Sequence, residues 1–250
     1  MQSIEPFAFI LISVAIMVGG VVKGVTGIGL PVVTTAIASS FLPAQLVLGF
    51  ISIPLVLTNL WQAISAGDPL KPLRRFWLLA LGLCFGVWIT SSYAAVVDPR
   101  VIYGVIGIAV FMHAASSFYA GGFTVPQHME KWISPVVGFA GGLMGGLSTI
   151  WGPLIVIYFL MLRLGKEEFV QVVGWVWLLG SIPLTLGYIS NGILNRDIAL
   201  ASAAACTPAL AGLIVGQTIR KRIDEQRFQR IVMICLLLIA FNLLRRAFFT

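Results

Sequence analysis

Eight long apolar stretches cover most of the chain and leave it few ways to fold. They span about 7–42, 43–66, 76–97, 101–119, 132–164, 169–190, 198–219 and 228–249. Hydrophobic residues make up 59% of the 250 residues and charged residues only 10%, and the mean hydropathy is +1.00. A soluble domain of this length needs far more charge to cover its surface. The sequence therefore predicts an all-α polytopic membrane protein.

Two of these stretches are too long for a single membrane crossing. The fifth has 33 residues, which would form a helix of ~50 Å against a hydrocarbon core of ~30 Å. Glycines and a proline interrupt the first and fifth stretches in the middle, as GVTGIGLP (24–31) and GLSTIWGP (146–153). Unpaired backbone persists at membrane depth only where protein covers it or where it lines a cavity. We predict that each interrupted stretch is a broken, re-entrant helix hairpin.

The two interruptions match each other at a constant offset of 122, which pairs Thr26 with Ser148 and Pro31 with Pro153. Further matches follow in the same order: SIPL at 52–55 and 181–184, then GLCFG at 82–86 and GLIVG at 212–216. Glycine-rich apolar sequence matches itself by chance, but several matches in one order indicate a duplication. We predict an N-terminal repeat (1–120), a cytoplasmic linker (121–131) and a C-terminal repeat (132–250), each repeat with four hydrophobic segments.

The distribution of Lys and Arg decides how the two repeats face. Eight single crossings give no bias between the two sides of the membrane. If the interrupted stretches enter and return, eleven basic residues lie in the cytoplasm, namely Lys71, Arg74, Arg75, Lys131, Arg163, Lys166, Arg220, Lys221, Arg222, Arg227 and Arg230. Four lie outside: Arg100, Arg196, Arg245 and Arg246. Because this count obeys the positive-inside rule, we predict an inverted repeat with both termini outside the cytoplasm. An acid and no basic residue precede the first apolar stretch, which is therefore expected to be retained.

Paired breaks at corresponding positions of two inverted halves point to the substrate site of a transporter. Helix ends that meet there offer free N–H groups and the positive end of the dipole to an anion. Glycines allow close approach of the backbone, hydroxyls donate to an oxyanion, and prolines suit the first turn of the helix that follows each break. The predicted substrate-binding residues of the breaks are Gly24, Thr26, Gly27, Gly29, Pro31, Gly146, Ser148, Thr149, Trp151, Gly152 and Pro153.

Three further polar residues extend the predicted site. Lys23 has no counterpart in the second break, and a lysine within the membrane is by default a functional candidate. Its alternatives are a lysine that extends to the membrane interface and a lysine at the mouth of a hairpin. Asn59 and Gln62 lie on one helical face and could line the chamber, although polar side chains also hold membrane helices together. Trp151 stands where the first break has Gly29, as a wall, a gate or a packing residue.

The remaining motifs predict structure, with no sign of catalysis. The pairs Gly82/Gly86 and Gly212/Gly216 predict close helix packing. His113 and His128 have no partner at catalytic or ligand spacing and are expected to be structural or exposed. Cys84, Cys206 and Cys235 each stand alone, so the sequence predicts neither a metal site, nor a disulfide, nor a bound cofactor. No basic run interleaved with aromatics suggests nucleic-acid binding.

These features favour a secondary transporter or exporter of small anions that works by alternating access at a midplane site between the repeats. A membrane enzyme would need a nucleophile with its base, paired acids or a metal set, and no such motif is present. A non-transporting scaffold or assembly subunit and an anion channel are the alternatives. No carboxylate falls inside a predicted span, so the sequence does not indicate whether transport is coupled to protons or sodium ions. Membrane lipid surrounds the protein, and assembly into a homo-oligomer is left open.

The duplicated four-segment halves, the two breaks and the segments GLCFG and GLIVG resemble the sulfite exporter TauE/SafE family of membrane permeases. The resemblance covers essentially the whole chain. It implies a multi-pass permease of the bacterial inner membrane for small sulfur-containing anions: sulfite, sulfoacetate and related organosulfonates. The sulfur chemistry is implied by the resemblance alone, because nothing in the composition identifies it.

Overall fold

The chain is helical along most of its length. A computed structural model describes residues 5–65, 67–68, 70–116, 124–220, 222, 234, 236–245 and 247. Its helices are α1 (Pro6–Thr26), α2 (Leu30–Ser39), α3 (Ala44–Ser65), α4 (Leu70–Tyr93), α5 (Pro99–Ser116), α6 (Glu130–Ser148), α7 (Gly152–Met161), α8 (Lys166–Ser190), α9 (Arg196–Ala204) and α10 (Cys206–Arg220). A 3₁₀ turn at Gln127–Met129 precedes α6, and Leu236–Arg245 is a further short apolar helix. These elements confirm the all-α class.

Five helices of the described ranges are long and apolar enough to cross a membrane. They are Pro6–Thr26, Ala44–Ser65, Leu73–Tyr93, Glu168–Ser190 and Arg196–Arg220, the last formed by α9 and α10 together. Large apolar side chains such as Trp77, Leu81 and Phe85 of α4 lie exposed on the outside of the bundle, where lipid would cover them. The chain is therefore a polytopic membrane protein, as predicted.

Each of the two overlong stretches folds as a helix that turns back on itself. In the first, α2 runs antiparallel to α1, and the Thr34 hydroxyl donates to the Ala15 carbonyl oxygen at 3.3 Å. In the second, α7 returns along α6, and the hydroxyls of Ser134 and Tyr158 lie 2.7 Å apart. The predicted hairpins are confirmed, with their turns at 27–29 and 149–151.

One end of the helix bundle is marked by an ion cluster, and we call it the Arg75 end. There Arg75 of α4 donates to Glu130 of α6 at 2.8 Å and to Glu168 of α8 at 2.6 Å. All three helices begin at this end and therefore run in the same direction. The opposite end, where α8 stops and Asn195 caps α9 by accepting from the Ile198 N–H, we call the Asn195 end.

The two hairpins enter the bundle from opposite ends. The α1 helix lies parallel to α10, with Gly20 against Gly212 and Gly24 against Gly216. Because α9 and α10 run from the Asn195 end toward the Arg75 end, α1 also starts at the Asn195 end. The α6 helix starts at the Arg75 end, so the two hairpin turns point toward each other inside the bundle.

Glycines form two close helix contacts, which we call the glycine seams. The first joins α1 to α10, and a Cβ added at Gly24 would lie 2.8 Å from the Gly216 Cα. The second joins α6 to α4, and a Cβ added at Gly142 would lie 3.0 Å from the Gly86 Cα. Small residues let helix backbones approach this closely in membranes. The packing role predicted for Gly82/Gly86 and Gly212/Gly216 is confirmed, and each seam joins a helix of one predicted repeat to a helix of the other.

The two SIPL segments put a proline inside α3 and inside α8. Proline has no N–H, so it leaves the carbonyl four residues earlier without its helical donor. For Pro54 the Ser202 hydroxyl of α9 donates to the Phe50 carbonyl at 2.7 Å. For Pro183 the Cys84 thiol of α4 donates to the Leu179 carbonyl at 3.4 Å. Neighbouring helices thus satisfy both freed carbonyls.

Several predicted features lie outside the described residues. They are the basic residues Lys221, Arg227, Arg230 and Arg246, the thiol of Cys235, the start of the 121–131 linker, and the first six residues of the last apolar stretch. The boundaries of the two repeats and their origin by duplication stay predictions.

Candidate functional site

The first hairpin turns through two glycines in a left-handed conformation. The α1 helix ends at Thr26, Gly27 has φ +82°, Gly29 has φ +118°, and α2 begins at Leu30. Residues with a side chain rarely adopt these φ values, so glycine at both positions permits the turn. Pro31 is the second residue of α2, where its missing N–H costs no helical hydrogen bond.

The second hairpin makes the same turn with different residues. The α6 helix ends at Ser148, Thr149 takes the left-handed position with φ +63°, and α7 begins at Gly152 with Pro153 as its second residue. A non-glycine residue in this region costs about 1–3 kcal/mol. The Thr149 N–H donates to the carbonyl four residues earlier at 2.7 Å, and the Gly27 N–H does the same at 2.7 Å.

The aligned hydroxyls of Thr26 and Ser148 hold the two turns in the same way. Each donates to the carbonyl four residues before it, at 2.9 Å for Thr26 and 2.8 Å for Ser148. Each accepts from the N–H two residues after it, at 3.3 Å and 3.1 Å. The two hydroxyls therefore hold the backbone of the turns in place and do not line the cavity.

A small cavity of about 10 Å³ lies between the two turns. It is about the size of one water molecule. Of the residues predicted from the sequence, five line it: Gly29, Pro31, Thr149, Trp151 and Gly152. Its wall also includes Ile28, Val32, His113, Ile150 and Trp177.

Two helix N-termini open onto this cavity, α2 from one hairpin and α7 from the other. Gly29 and Trp151 are their N-caps, and neither provides a side-chain capping hydrogen bond. The first N–H groups of a helix have no partner within it, and the dipole places partial positive charge there. Two such ends that face one cavity form a concentrated site for negative charge.

Lys23 is buried beside the first turn, with 3% of its surface exposed. Its ammonium donates to the Asn59 amide oxygen and, at 3.3 Å, to the Thr58 hydroxyl. The Asn59 amide in turn donates to the carbonyl of Trp177, at 3.2 Å. This burial rules out a lysine that extends to the membrane interface. Lys23 does not line the cavity itself. Hydrogen bonds connect it through Asn59 to Trp177, which is part of the cavity wall.

Gln62 lies one helical turn beyond Asn59 on α3, next to Gly27. A Cβ added at Gly27 would lie 4.0 Å from the Gln62 amide nitrogen. Both polar atoms of the Gln62 amide are buried and have no hydrogen-bond partner among the described residues. A buried amide without a partner costs about 1–3 kcal/mol, so Gln62 is available to bind a polar ligand or water at the first turn.

Gly24 and Gly146 lie away from the cavity, in the glycine seams. In addition to its contact with Gly216, a Cβ added at Gly24 would lie 2.8 Å from the Gln217 amide nitrogen of α10. One added at Gly146 would lie 2.7 Å from the Ser91 amide nitrogen of α4. The structure therefore gives both glycines a place in helix packing, in the last turn of the helix that precedes each hairpin turn.

Trp151 is a wall of the cavity and is 1% exposed. Its ring packs against Trp177 with a centroid distance of 6.5 Å and an interplanar angle of 76°. Its indole N–H is buried without a hydrogen-bond acceptor among the described residues. Buried polar groups are rarely left unpaired, so this donor is free for a ligand.

His113 and Trp177 line this cavity, although sequence reasoning did not include them in the site. His113 was expected to be structural or exposed; it is 3% exposed and lies on the cavity wall from α5. His128 is exposed, as expected. An ionisable residue inside an apolar membrane helix is a functional candidate by default, and that rule applied to His113 would have found it.

A family model described as Sulfite exporter TauE/SafE matches residues 11–243, nearly the whole chain. No curated protein and no solved structure matches the chain. The matched region holds both hairpins, the cavity between them and both glycine seams. The chain therefore belongs to the sulfite exporter TauE/SafE family, a family of membrane transporters for sulfite-type anions.

Proposed function

We propose that the protein is a secondary transporter that moves sulfite or a small organosulfonate, such as sulfoacetate, across the bacterial inner membrane. The observation that carries the proposal is the pair of uncapped helix N-termini, α2 and α7, that open onto one buried cavity. An oxyanion with several acceptor oxygens can accept from N–H groups of both helices at once. The sulfur chemistry of the substrate rests on the family.

Further donors around the cavity support an anionic substrate. Trp151 offers an unpaired indole N–H, and Lys23 brings a positive charge behind the first turn. Within the described residues no carboxylate lines the cavity. The Lys23 ammonium also offsets the negative C-terminal end of α1, which points at the same turn. The balance of charge near the cavity is thus positive.

The size of the cavity and the directions of the hairpins support a mechanism of alternating access. A volume of about 10 Å³ holds about one water and is too small for a sulfur oxyanion. The substrate must therefore enter while one turn moves away from the other. Because α1 and α6 enter from opposite ends, withdrawing one turn or the other would open the cavity to opposite sides. We infer that the two halves form an inverted repeat in which each hairpin gates one side.

We infer that the Arg75 end faces the cytoplasm and that both termini lie outside it. The basic residues near the Arg75 end whose side chains the structure describes are Arg74, Arg75, Lys131, Arg163, Arg220 and Arg222, against Arg100, Arg196 and Arg245 near the Asn195 end. This asymmetry agrees with the positive-inside rule.

Uptake into proteoliposomes tests the proposed function directly. The substrates are radiolabelled sulfite, sulfoacetate and thiosulfate, with chloride and acetate as comparison anions, with and without a pH gradient. We expect saturable uptake of at least one sulfur anion and none of acetate. Flux that rises linearly with concentration would indicate a channel. Absence of any flux, with no anion-dependent rise in Tm of the folded protein, would favour a scaffold.

Trp151→Phe is expected to weaken sulfite-type anion binding about 10- to 100-fold, because one hydrogen bond to a charged group is lost. The Tm without ligand should fall slightly, because the smaller ring leaves a cavity in a packed site, while removal of a buried donor that has no partner offsets part of this cost. Isothermal titration calorimetry and thermal denaturation measure the two effects. Trp88→Phe on the outside of α4 is the matched control and should change neither. Unchanged affinity in Trp151→Phe would remove the indole from the site.

A further inference from the structure

We propose that a second site, separate from the transport cavity, binds the phosphate of an anionic membrane lipid. It is a pocket of about 410 Å³ at the Arg75 end, between the first turns of α4 and α6. Its wall includes Arg74, Arg75, Trp77, Glu130, Lys131 and Ser134. None of these residues lines the cavity between the hairpin turns.

The pocket has three basic side chains, of which one, Arg75, forms salt bridges and two, Arg74 and Lys131, do not within the described part of the chain. The Arg75 guanidinium donates to Glu130 through Nε at 2.8 Å and through Nη2 at 2.9 Å, and to Glu168 at 2.6 Å. Arg74 and Lys131 are exposed and form no salt bridge within the described part of the chain. Arg75 donates to both carboxylates, and with Arg74 and Lys131 the cluster carries three positive charges against two negative ones, so Arg74 and Lys131 are left to bind an anion.

The position of the pocket fits a lipid headgroup. Trp77 lies on its wall and is 53% exposed, and Trp132, one residue after Lys131, is 80% exposed. Exposed tryptophans are typical of the level of the headgroups. Basic pockets between transmembrane helices on the cytoplasmic side are where anionic headgroups bind.

An apolar surface continues from the pocket toward the membrane centre. On α4, Trp77, Leu81, Phe85 and Trp88 are all exposed, at a spacing that puts them on one helix face. Phe85 stacks on Phe139 of α6 with a centroid distance of 5.8 Å. Below the pocket the second glycine seam closes the gap between α4 and α6. An acyl chain would therefore lie on this outer surface while its phosphate occupies the pocket, an arrangement that free phosphate cannot use.

Lipid binding to the purified full-length protein tests the proposal. The probes are dioleoylphosphatidylglycerol, dioleoylphosphatidylcholine and inorganic phosphate, each added to protein in detergent and followed by Tm and by native mass spectrometry. We expect phosphatidylglycerol to raise the Tm and to stay bound in the mass spectrometer, and phosphatidylcholine and phosphate to do neither. Because exposed cations are screened by salt, the effect should fall as ionic strength rises.

The variant Arg74→Gln/Lys131→Gln should bind phosphatidylglycerol about 30-fold more weakly, at about 1 kcal/mol for each basic residue near an anionic headgroup. Arg163→Gln/Arg196→Gln removes the same charge elsewhere and should bind like the unmodified protein. Equal binding by Arg74→Gln/Lys131→Gln and the unmodified protein would overturn the proposal. So would an equal Tm rise with inorganic phosphate, which would assign the pocket to a free anion. The proposal would also be contradicted if the protein retained phosphatidylglycerol and phosphatidylcholine equally in native mass spectrometry.

Discussion

Lys23→Met is expected to reduce the saturable uptake of sulfite-type anions about 30-fold, because it removes the one described cation that lies beside the hairpin turns. Lys23 is buried, and its ammonium donates to Asn59, whose amide donates to a carbonyl of the cavity wall. A buried cation attracts an anion about 8 Å away by about 2 kcal/mol at an effective dielectric constant of about 20, which corresponds to that factor. Uptake into proteoliposomes at a series of sulfite concentrations measures it.

The same substitution should change the stability of the protein little. Methionine leaves the Asn59 oxygen without a donor, which costs about 1–3 kcal/mol. It also removes a charge from a buried position, which relieves a desolvation penalty of similar size. We therefore expect a Tm close to that of the unmodified protein, so that lost uptake cannot be attributed to unfolding.

Two variants of α3 separate charge from packing. Asn59→Asp keeps a partner for Lys23 but cancels its charge and also removes the donor to the Trp177 carbonyl, and we expect uptake to fall at least as far as in Lys23→Met. Thr58→Val removes only the weaker hydrogen bond, at 3.3 Å, and should leave uptake nearly unchanged. Normal uptake by Asn59→Asp would show that the lysine serves packing and that the anion is held by the helix N-termini alone.

The fold followed from local features of the sequence. The lengths of the apolar stretches predicted the number of segments, because one crossing takes about 20 residues. Glycine and proline predicted the two breaks, because a helix that is interrupted at membrane depth needs protein or a cavity around its unpaired backbone. The predicted first break, 24–31, contains the turn that Gly27 and Gly29 form. The aligned second break turns at Thr149, a residue that sequence would not place in a left-handed conformation.

The partners of the site residues could not be predicted, because they are distant in the chain. Lys23 was a candidate on its own, but its hydrogen bond to Asn59 depends on how α1 crosses α3. Trp177 reaches the cavity from α8 by the same kind of crossing. Glycine is ambiguous in a different way: it permits both close helix packing and close approach of a ligand. Within one break, Gly24 packs against α10 whereas Gly29 lines the cavity, and only the position of α10 tells the two apart.

Gly24→Ala and Gly146→Ala are expected to lower the Tm by about 3–10 °C each, from an overpacking cost of about 1–3 kcal/mol. In each seam the new methyl group would meet backbone atoms of the facing helix. The nearest of these are the Leu213 carbonyl oxygen in the first seam and, in the second, the Ser91 amide nitrogen beside the Thr90 hydroxyl. Backbone cannot rotate away as a side chain can, so the helices must separate. The gain in helix propensity from glycine to alanine, about 1 kcal/mol, is too small to compensate.

Gly104→Ala is the matched control, because Gly104 also lies within an apolar helix. A Cβ there would lie 3.6 Å from the Ala247 Cβ, an ordinary contact, so the Tm should stay the same or rise. If the structure assigns the two glycines correctly, both seam variants lose stability by similar amounts, and the folded fraction of each still binds sulfite with unchanged affinity. A seam variant that keeps its Tm but loses affinity would return that glycine to the substrate site, where the sequence alone had put it. Unequal losses would mean that the two seams differ in strength. Under the proposed mechanism of alternating access, the hairpin with the weaker seam would then open more readily.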